Sequence, residues 1–349
     1  MSDVTIQDVA RAASVSTASV SNFLNGRHDR MRPETRDRIL SVIKDLDYKP
    51  SGVARQLKSG QAPMIGLLVP TVANPFFGEL AVAVERSAQA QGFHVLLCNT
   101  LRDLKREREF ANELVAYGVR GLISASALTD LDEVNSLIRR GVSLVFFDVQ
   151  SLDVGGMGVD VVTLDNAGAS RLAVNHLVGL GHRRIAYVTA PTGTISRSAR
   201  LRGYREEIRA NALDFELVVI EEARKRDGAY GDTDLAELGR RAATRIATST
   251  PRPTAVVAMN DMIALGLISG LRDAGLNVPH DISIVGIDDI NVASLLSPSL
   301  TTIRQPFAEM AEAAVGGLKK RMALPTQSGS EHVFAPELIV RASTASPTL

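Results

Sequence analysis

Four small side chains with a clear capacity for molecular recognition lie near the start of the chain, in the second of two short predicted helices. Helical periodicity places them together on the outer face of that helix. Hydroxyl, methyl and amide groups at this spacing can contact the edges of base pairs. These outward-facing residues are Thr17, Ala18, Ser21 and Asn22. The opposite face is apolar and is expected to be buried, and it is formed by Val20, Phe23 and Leu24.

The residues around this helix predict how the two helices begin and turn. Thr5 is a good N-cap for the first helix, with Asp8 three residues later, near a capping box. Ser16 caps the second helix, and Ser14 lies in the turn between them. A short helix, a tight turn and a second helix with a small polar outer face are typical of a helix-turn-helix, whose second helix enters the DNA major groove. An ordinary pair of packed helices has the same periodicity, so this pattern alone leaves both interpretations open.

The composition limits the class of protein. The chain has 349 residues, of which 45% are hydrophobic and 22% charged, and this suits two or three globular domains. No apolar run is long enough for a membrane span, and the first residues lack the features of a signal peptide, so we expect a cytoplasmic protein with no membrane partner. Cys98, the single cysteine, is expected to be a small core residue. The net charge is zero, but up to Lys58 ten lysines and arginines face seven acidic residues, an excess that permits phosphate contacts.

The pattern changes beyond the first 60 residues. Pro33 opens a third predicted helix, residues 50–58 read as one further short helix, and residues 59–63 read as a linker. After the linker, apolar strand-like runs alternate with amphipathic helices, as expected for parallel sheets covered by helices on both faces. The length suggests two such sheets. The predicted strands are residues 64–69, 94–98, 120–124, 143–147, 161–164, 184–189, 217–220, 254–259 and 282–287.

Ligands of such α/β sheets bind beyond the carboxyl ends of the strands, so the loops that follow the strands contain the candidate site. These loops carry aromatic rings, carboxylates, hydroxyls and an amide, which suit stacking on a ring and hydrogen bonding to hydroxyl groups. Arg200 lies just beyond one of them. The loop candidates are Phe76, Phe77, Asp148, Thr194, Ser196, Asn260 and Asp288. Each has a structural alternative: Asn260 can cap a helix, Asp148 can be a solvated loop acid, and the two phenylalanines can belong to the core.

Several blocks of the sequence, in order, make the whole chain resemble the LacI/GalR family of bacterial transcription regulators. The blocks span nearly the entire chain and are highly specific in combination. They include TIQDVARAASVSTASVSNFLN, YKPSGVARQLKSG, IGLLVPTVANPFFGEL, ARLRGY, PTAVVAMNDMIALG, VPHDISIVGIDD and LTTIRQP. The resemblance implies an all-α helix-turn-helix DNA-binding domain, followed by an α/β effector core similar to periplasmic sugar-binding proteins, with two subdomains joined by three crossovers.

The resemblance also implies domain boundaries. It places the DNA-binding domain at 1–49, a hinge helix and linker at 50–61, the effector-binding and dimerisation domain at 62–343, and a tail at 344–349. Within the core, one subdomain is expected at about 62–161 and 291–321, and the other at about 162–290 and 322–343. The tail has no leucine heptad, which in some relatives makes tetramers, so we expect a homodimer.

For DNA, the family pattern places Thr17, Ala18 and Asn22 at base edges. It places Ser16, Ser21 and Asn25 near the phosphates. The predicted DNA-binding set also includes Thr5. In the hinge, Leu57 is expected to wedge into a minor-groove step, with Val53 and Ala54 beside it.

Two residues depart from the family pattern. Asn22 replaces the usual arginine, so we hypothesise an A·T pair where relatives prefer G·C, because asparagine reads adenine. Ser14 replaces the usual glycine and must accept the geometry of the turn.

For the effector, the resemblance points to the loop candidates above together with Arg200 and, less directly, Gln305. An arginine among acids suits a sugar or polyol, so the expected partners are double-stranded operator DNA and a sugar-like metabolite. The stacking aromatic that relatives often carry is not evident near residues 230–234. No cofactor, metal ligand set or catalytic residue is predicted.

The sequence favours a regulator, most simply a repressor of carbohydrate-metabolism genes, over two other classes of protein. A solute-binding protein for uptake disagrees with the amino-terminal helices and the missing signal peptide. An enzyme disagrees with the absence of a P-loop, a G-x-G-x-x-G motif and a G-x-S-x-G motif. His182 precedes a strand and is expected to be structural.

Overall fold

The structure, a computed structural model, describes residues 4–24, 26–27, 31–48, 64–125, 131–147, 158–191, 194–221, 233–324 and 328–348. Contacts between Cα atoms divide the chain into two compact units, Met1–Ala62 and Pro63–Leu349. Five of the candidate residues lie outside the described residues, as does the predicted hinge helix at 50–61. They are Asn25, Val53, Ala54, Leu57 and Asp148.

The first unit contains three described helices, α1 (Ile6–Ala12), α2 (Thr17–Leu24) and α3 (Pro33–Asp45). The predicted capping box is present, since the Asp8 backbone N–H donates to the Thr5 hydroxyl and the Asp8 carboxylate accepts from the Thr5 backbone N–H. The Ser19 N–H donates to the hydroxyl of Ser16 at 3.1 Å, which confirms the second cap. Ser14 has a φ of +50°, so the turn does require a left-handed residue. A small apolar core formed by residues of all three helices joins them, including Val9, Val20 and Ile39.

The second unit contains two six-stranded sheets. The first sheet is entirely parallel, with the strand order β11-β5-β4-β3-β1-β2. Its strands are β1 (Met64–Val69), β2 (His94–Asn99), β3 (Gly121–Ser124), β4 (Ser143–Phe147), β5 (Asp160–Leu164) and β11 (Glu331–Phe334). The helices that follow its strands, or return to pack on it, are α4 (Pro75–Ala90), α5 (Leu104–Ala116), α6 (Leu131–Arg139) and α11 (Phe307–Ala323).

The second sheet has the order β12-β10-β9-β8-β6-β7 and is parallel except for the antiparallel edge pair β10–β12. Its strands are β6 (Ile185–Thr189), β7 (Leu217–Ile220), β8 (Ala255–Ala258), β9 (Ser283–Asp288), β10 (Thr301–Arg304) and β12 (Glu337–Ile339). Its helices are α7 (Asn166–Gly179), α8 (Ile195–Ala210), α9 (Thr233–Thr248) and α10 (Asp261–Asp273), and a 3-10 turn spans Asn291–Ser294. The central strands of both sheets are buried on both faces, as their continuous apolar runs predict. Among the described residues, no helix is both long and apolar enough to cross a membrane.

The chain passes between the sheets three times, and these passages correct the expected subdomain boundaries. Residues 162–164 belong to β5 of the first sheet, so the first crossing falls at Asp165. Residues 301–304 pair with β9 in the second sheet rather than joining the first subdomain, so the second crossing falls at 305–306. Residues 331–334 pair with β5 of the first sheet, so the third falls at 335–336. The expected boundaries were wrong because sheet membership depends on strand pairing: β10 pairs with β9 of the second sheet, and β11 pairs with β5 across more than 160 residues.

The end of the chain is also not the separate tail expected at 344–349. Residues 344–348 lie against the second subdomain, where the Ala345 carbonyl oxygen accepts hydrogen bonds from the Ser283 hydroxyl at 3.1 Å and from the His182 ring at 2.9 Å. The Thr348 hydroxyl donates to the carbonyl oxygen of His280. His182 is buried, and burial lowers the pKa of its imidazole. The terminal residues therefore complete a polar cluster around a structural histidine.

Helices α9 and α10 pack closely enough that glycine is required in their interface. A Cβ atom added to Gly266 would overlap the carbonyl oxygen of Ala236, and one added to Gly239 would overlap that of Ile263. Such a contact between backbones leaves no side chain that could move away. A larger residue at either position would therefore push α9 and α10 apart.

We expect Gly266→Ala to lower the free energy of unfolding by about 1–3 kcal/mol, because an extra methyl group overpacks a contact between two helix backbones. Gly316→Ala is the matched control, since the position is also helical but a Cβ there has open space. The control should be neutral or stabilising by about 0.5–1 kcal/mol. Chemical denaturation of both variants measures the difference, and equal stabilities would contradict the close packing.

Candidate functional site

The outer face of α2 is arranged as its periodicity predicts. Thr17, Ala18 and Asn22 are exposed, while Val20 is buried against the other two helices. Ser21 lies beside them and is partly buried. The first and last turns of α2 carry no charged residue, so any specificity at this face comes from neutral hydrogen-bonding groups and methyl contacts.

Two other predicted DNA-binding residues already serve as helix caps. The Thr5 hydroxyl donates to the Asp8 carboxylate at 2.6 Å. The Ser16 hydroxyl oxygen accepts from Ser19 N–H and lies 3.0 Å from the Ser19 hydroxyl. Both side chains remain exposed at the start of a helix. Their backbone and hydroxyl groups are therefore in the type of position where proteins contact phosphate, although such contacts stay a prediction.

The core of the second candidate site is a buried guanidinium at the carboxyl ends of the strands. Arg200 on α8 is 6% exposed. Its Nε donates to Asn166 Oδ1 at 2.8 Å, and its Nη1 donates to the carbonyl oxygen of Met259 at 2.8 Å. Its Nη2 lies 3.5 Å from Asp288 Oδ1, an ion pair at the limit of hydrogen-bond distance. The opposite charges compensate each other in a buried environment.

Gln305 joins this cluster from the second crossing between the sheets. Its Nε2 donates to Asp288 Oδ1 at 2.9 Å, so one carboxylate oxygen accepts from both Gln305 and Arg200. The side-chain oxygen of Gln305 is buried and has no hydrogen-bond partner among the described residues. The cluster therefore retains an acceptor that can bind a further donor.

Three more candidates lie at helix N-termini that open toward the same edge of the second sheet. The Thr194 hydroxyl caps α8 by accepting from Arg197 N–H at 3.3 Å, and it lies 3.2 Å from the Ser196 hydroxyl. Asn260 caps α10, with its Oδ1 accepting from Ile263 N–H at 3.0 Å. The structural alternative for Asn260 is thus correct for its oxygen. Its amide nitrogen donates no hydrogen bond within the described part of the chain, so a binding role is compatible with the cap.

The two phenylalanines of α4 are half-buried rather than exposed. Phe76 packs edge-on against Phe77, with ring centroids 4.9 Å apart, and against Phe307 at 5.1 Å. Phe77 contacts the apolar core of the first sheet, whereas Phe76 contacts that of the second. The core alternative therefore describes part of their role, because Phe77 packs on the core of its own subdomain while Phe76 reaches the core of the other.

Glu79, on α4 of the first subdomain, makes a second contact between the subdomains. Its carboxylate accepts from the backbone N–H of Asn291 in the second subdomain at 2.7 Å. Burial raises the pKa of this carboxyl, and the nearby Asp289 carboxylate adds to the rise. The contact ties α4 to the segment that follows β9.

Sequence reasoning missed three contributors to this region. Asn166, the Met259 carbonyl group and Phe307 complete the surroundings of Arg200 and Phe76. Asn166 follows β5 directly, so the rule that ligands bind beyond strand ends was sufficient to find it. Phe307 follows β10, a strand that the apolar pattern did not reveal. Met259 contributes its backbone carbonyl oxygen, and a backbone contact cannot be predicted from the type of side chain.

Asp261, next to Asn260, was also not selected from the sequence. The side chain is fully buried, with the carboxylate accepting from the Thr302 hydroxyl and from the backbone N–H of Ile290 at 3.0 Å. Burial raises the pKa of this carboxyl, the two hydrogen bonds and Arg341 oppose the rise, Asp289 adds to it, and the pKa is about 7 as a result. Asp261 therefore ionises at a higher pH in the folded protein than in the unfolded chain, and above about pH 7 it is a carboxylate.

Comparison with known proteins identifies the class. The model for bacterial regulatory proteins of the lacI family matches residues 5–51, and the model for a periplasmic binding protein-like domain matches residues 174–344. The ribose operon repressor of Escherichia coli (strain K12) is 35% identical over 342 residues, which cover 97% of this chain and 99% of that protein. The transcriptional regulator DegA of Bacillus subtilis (strain 168) is 31% identical over 346 residues, 98% of each chain.

Solved structures agree with this result. The Lac repressor dimer bound to operator and the anti-inducer ONPF has a TM-score of 0.83 at 26% identity, covering 99% of this chain and all of that one. A LacI family regulator from Enterococcus faecium with bound ribose has a TM-score of 0.71 at 28% identity, covering 81% of this chain and 99% of that one. The chain is thus a DNA-binding transcriptional regulator and not an enzyme. It belongs to the LacI family, which confirms the predicted family and fold class.

The raised pKa of Asp261 predicts how stability depends on pH. Because the folded protein holds the proton more tightly than the unfolded chain does, the wild type loses stability as pH rises from the ordinary carboxyl range to about 7. Asp261→Asn has no proton to lose there. Its melting temperature relative to the wild type should therefore rise between about pH 5 and pH 8. Asp273→Asn, at an exposed position of the same helix, is the control, and a relative stability of Asp261→Asn that falls with pH would contradict the assignment.

Proposed function

We propose that the chain is a repressor that binds a pseudo-palindromic operator as a homodimer and responds to a sugar-like effector. The observation that carries the proposal is the buried Arg200–Asp288–Gln305 cluster at the carboxyl ends of the strands. It lies beside two of the crossings between the subdomains, since Asn166 follows the first and Gln305 is in the second, so a ligand bound there would contact residues next to them. Such a site can link occupancy to the relative orientation of the subdomains.

The chemistry of the cluster favours a neutral ligand with several hydroxyl groups. The guanidinium is already neutralised by Asp288, so a charged ligand would leave a buried charge uncompensated. Sugar hydroxyls both donate and accept, and they match the arginine, the carboxylate and the Gln305 oxygen, which has no partner in the described part of the chain. The aromatic rings of Phe76 and Phe77 supply apolar surface for a sugar ring. Asp148, Thr194, Ser196 and Asn260 complete the proposed set.

Ribose is the first candidate within this class. The relatives include a ribose operon repressor, and two structural neighbours contain bound ribose. Another neighbour contains cellobiose, so the family fold also admits larger sugars. The proposed class is therefore a sugar, with D-ribose as the first one to test.

We expect D-ribose to raise the melting temperature of the wild type and Arg200→Ala to abolish the rise. A ligand at 100 times its Kd stabilises the folded state by about 2.7 kcal/mol, so the shift is measurable by differential scanning fluorimetry. D-glucose and adenine serve as comparison ligands. Arg202→Ala is the matched control, because Arg202 lies on the same helix but is 63% exposed, and it should retain the full shift.

Two outcomes would contradict the effector proposal at different levels. If neither sugar shifts the wild type, the ligand class is wrong. If a sugar shifts Arg200→Ala as much as the wild type, the ligand class stands but the assigned pocket is wrong.

For DNA, we propose that Thr17, Ala18 and Asn22 contact base edges, consistent with their exposure on α2. The proposed phosphate contacts are Thr5, Ser16, Ser21 and Asn25. Val53, Ala54 and Leu57 remain the proposed minor-groove contacts of the hinge. Dimerisation follows from the two-fold symmetry of the proposed operator. Residues 344–348 pack on their own subdomain.

Asn22 yields a sharp test of DNA reading. An asparagine amide pairs with adenine through two hydrogen bonds, and an arginine pairs with guanine in the same way, each worth about 1–3 kcal/mol of discrimination. We expect the wild type to select A·T at the contacted position of each half-site and Asn22→Arg to select G·C. Operator selection from a randomised library measures both.

Asn22→Ala is the control for this test. It should lose preference at that position alone while retaining preferences elsewhere in the half-site. A wild type that still requires guanine there would show that Asn22 does not read the base pair in the proposed way.

A further inference from the structure

We propose that Asp261 and Thr302 are positioning residues for the effector site, because they hold the turn that presents Asp288 to Arg200. The inference rests on the proposed effector function and names residues outside the predicted contact set. Neither side chain belongs to the Arg200–Asp288–Gln305 cluster. Their effect on binding acts through the backbone of residues 288–290.

The turn is strained. Asp288 has a φ of +138° and Asp289 a φ of +56°, two consecutive non-glycine residues in the region that favours glycine. Such conformations cost free energy and persist only where the surroundings hold them. The strain lies at Asp288, whose carboxylate accepts from Arg200 and Gln305. Whatever holds the turn therefore sets the position of a central acceptor of the site.

The backbone of the turn is held by one connected set of hydrogen bonds. The Ile290 N–H donates to Asp261 Oδ2 at 3.0 Å. The Asp289 N–H donates to the Thr302 hydroxyl oxygen at 3.4 Å, and that hydroxyl donates to Asp261 Oδ1 at 2.5 Å. Both oxygens of one buried carboxylate thus receive a hydrogen bond that leads to the turn. A carboxylate with both acceptors used has a single orientation.

The surroundings fit a carboxylate at this place. Gly286, on β9, leaves room for Asp261, since a Cβ atom there would overlap Oδ1. The charged groups nearest Asp261 are Asp289 and Arg341. Asp289 turns its own carboxylate away, toward Arg341 at 2.6 Å and Arg304 at 2.8 Å. The turn is therefore fixed on one side by Asp261 and Thr302 and on the other by two arginines.

Asp261 does not have the usual role of an acidic residue at the start of a helix. It is the first residue of α10, but the helix N-terminus is already capped by Asn260. The two neighbours divide the roles: Asn260 satisfies the helix, and Asp261 is directed at the turn after β9. Because α10 begins at these two residues, its start links two proposed parts of the effector site.

The test combines a measurement without ligand and one with a named probe. Hydrogen–deuterium exchange of the peptide covering residues 287–291 reports the turn directly, and calorimetric titration with D-ribose reports the site. We expect Asp261→Ala to speed exchange in this peptide and to weaken D-ribose binding, each by about tenfold, the effect of losing one hydrogen bond to a charged group. Asp261→Asn retains one acceptor and should show a smaller loss.

Thr302→Val and Thr302→Ser keep the proposal testable if Asp261→Ala fails to fold. Serine retains the hydroxyl and should behave as the wild type, whereas valine should loosen the turn. Asp273→Ala, on the exposed side of α10, is the control and should change neither measurement.

The outcomes separate this inference from the proposed function. Unchanged exchange in 287–291 for folded Asp261→Ala and Thr302→Val overturns the inference. Faster exchange with D-ribose affinity within about twofold of the wild type also overturns it, because a free energy change that small means the turn does not control binding. If the wild type itself does not bind D-ribose, the ribose assignment fails, and the exchange measurement alone decides whether Asp261 and Thr302 hold the turn.

Discussion

The charge of Arg200 is the constraint on which the effector core depends. A buried guanidinium is costly unless acceptors surround it. Its acceptors come from separate parts of the chain: Asn166 follows the first crossing between the sheets, Met259 follows β8, and Asp288 ends β9. Gln305, at the second crossing, binds the same carboxylate. Satisfying one charge therefore requires two crossings and two strand ends to meet.

The same cluster keeps one unused acceptor among the described residues, the side-chain oxygen of Gln305, and this gives it a capacity for binding. The Arg200–Asp288 contact is long at 3.5 Å, and the Gln305 oxygen has no partner among the described residues. A cluster in which every donor and acceptor already had a partner would contribute to stability alone. This cluster can accept more hydrogen bonds. In a buried setting these are strong, because little water competes for them. The arrangement balances charge while leaving polar capacity for a neutral ligand.

The sequence was most informative where structure is local. The caps at Thr5 and Ser16 and the left-handed Ser14 depend on a few neighbouring residues, and all were predicted. The subdomain boundaries depend on the pairing of the short strands β10 and β11, which the apolar pattern did not reveal, and β11 pairs with a strand more than 160 residues earlier, so there the prediction failed. Of the effector candidates, Arg200, Asp288 and Gln305 do come together. Asp261 was missed because its burial and its contact with Ile290 follow from tertiary packing.

The location of the cluster also bears on how binding at the proposed effector site would affect the whole core. Asn166 and Gln305 lie beside two of the three crossings, so a ligand that contacts them acts on the segments about which the subdomains can rotate. Phe76 and Glu79 of α4 add contacts across the same boundary, to the core of the second sheet and to the backbone of Asn291. A ligand that favours one orientation must have different contacts in the two, and groups from both subdomains can supply that difference. Contacts made to one subdomain alone would not depend on the relative orientation of the two.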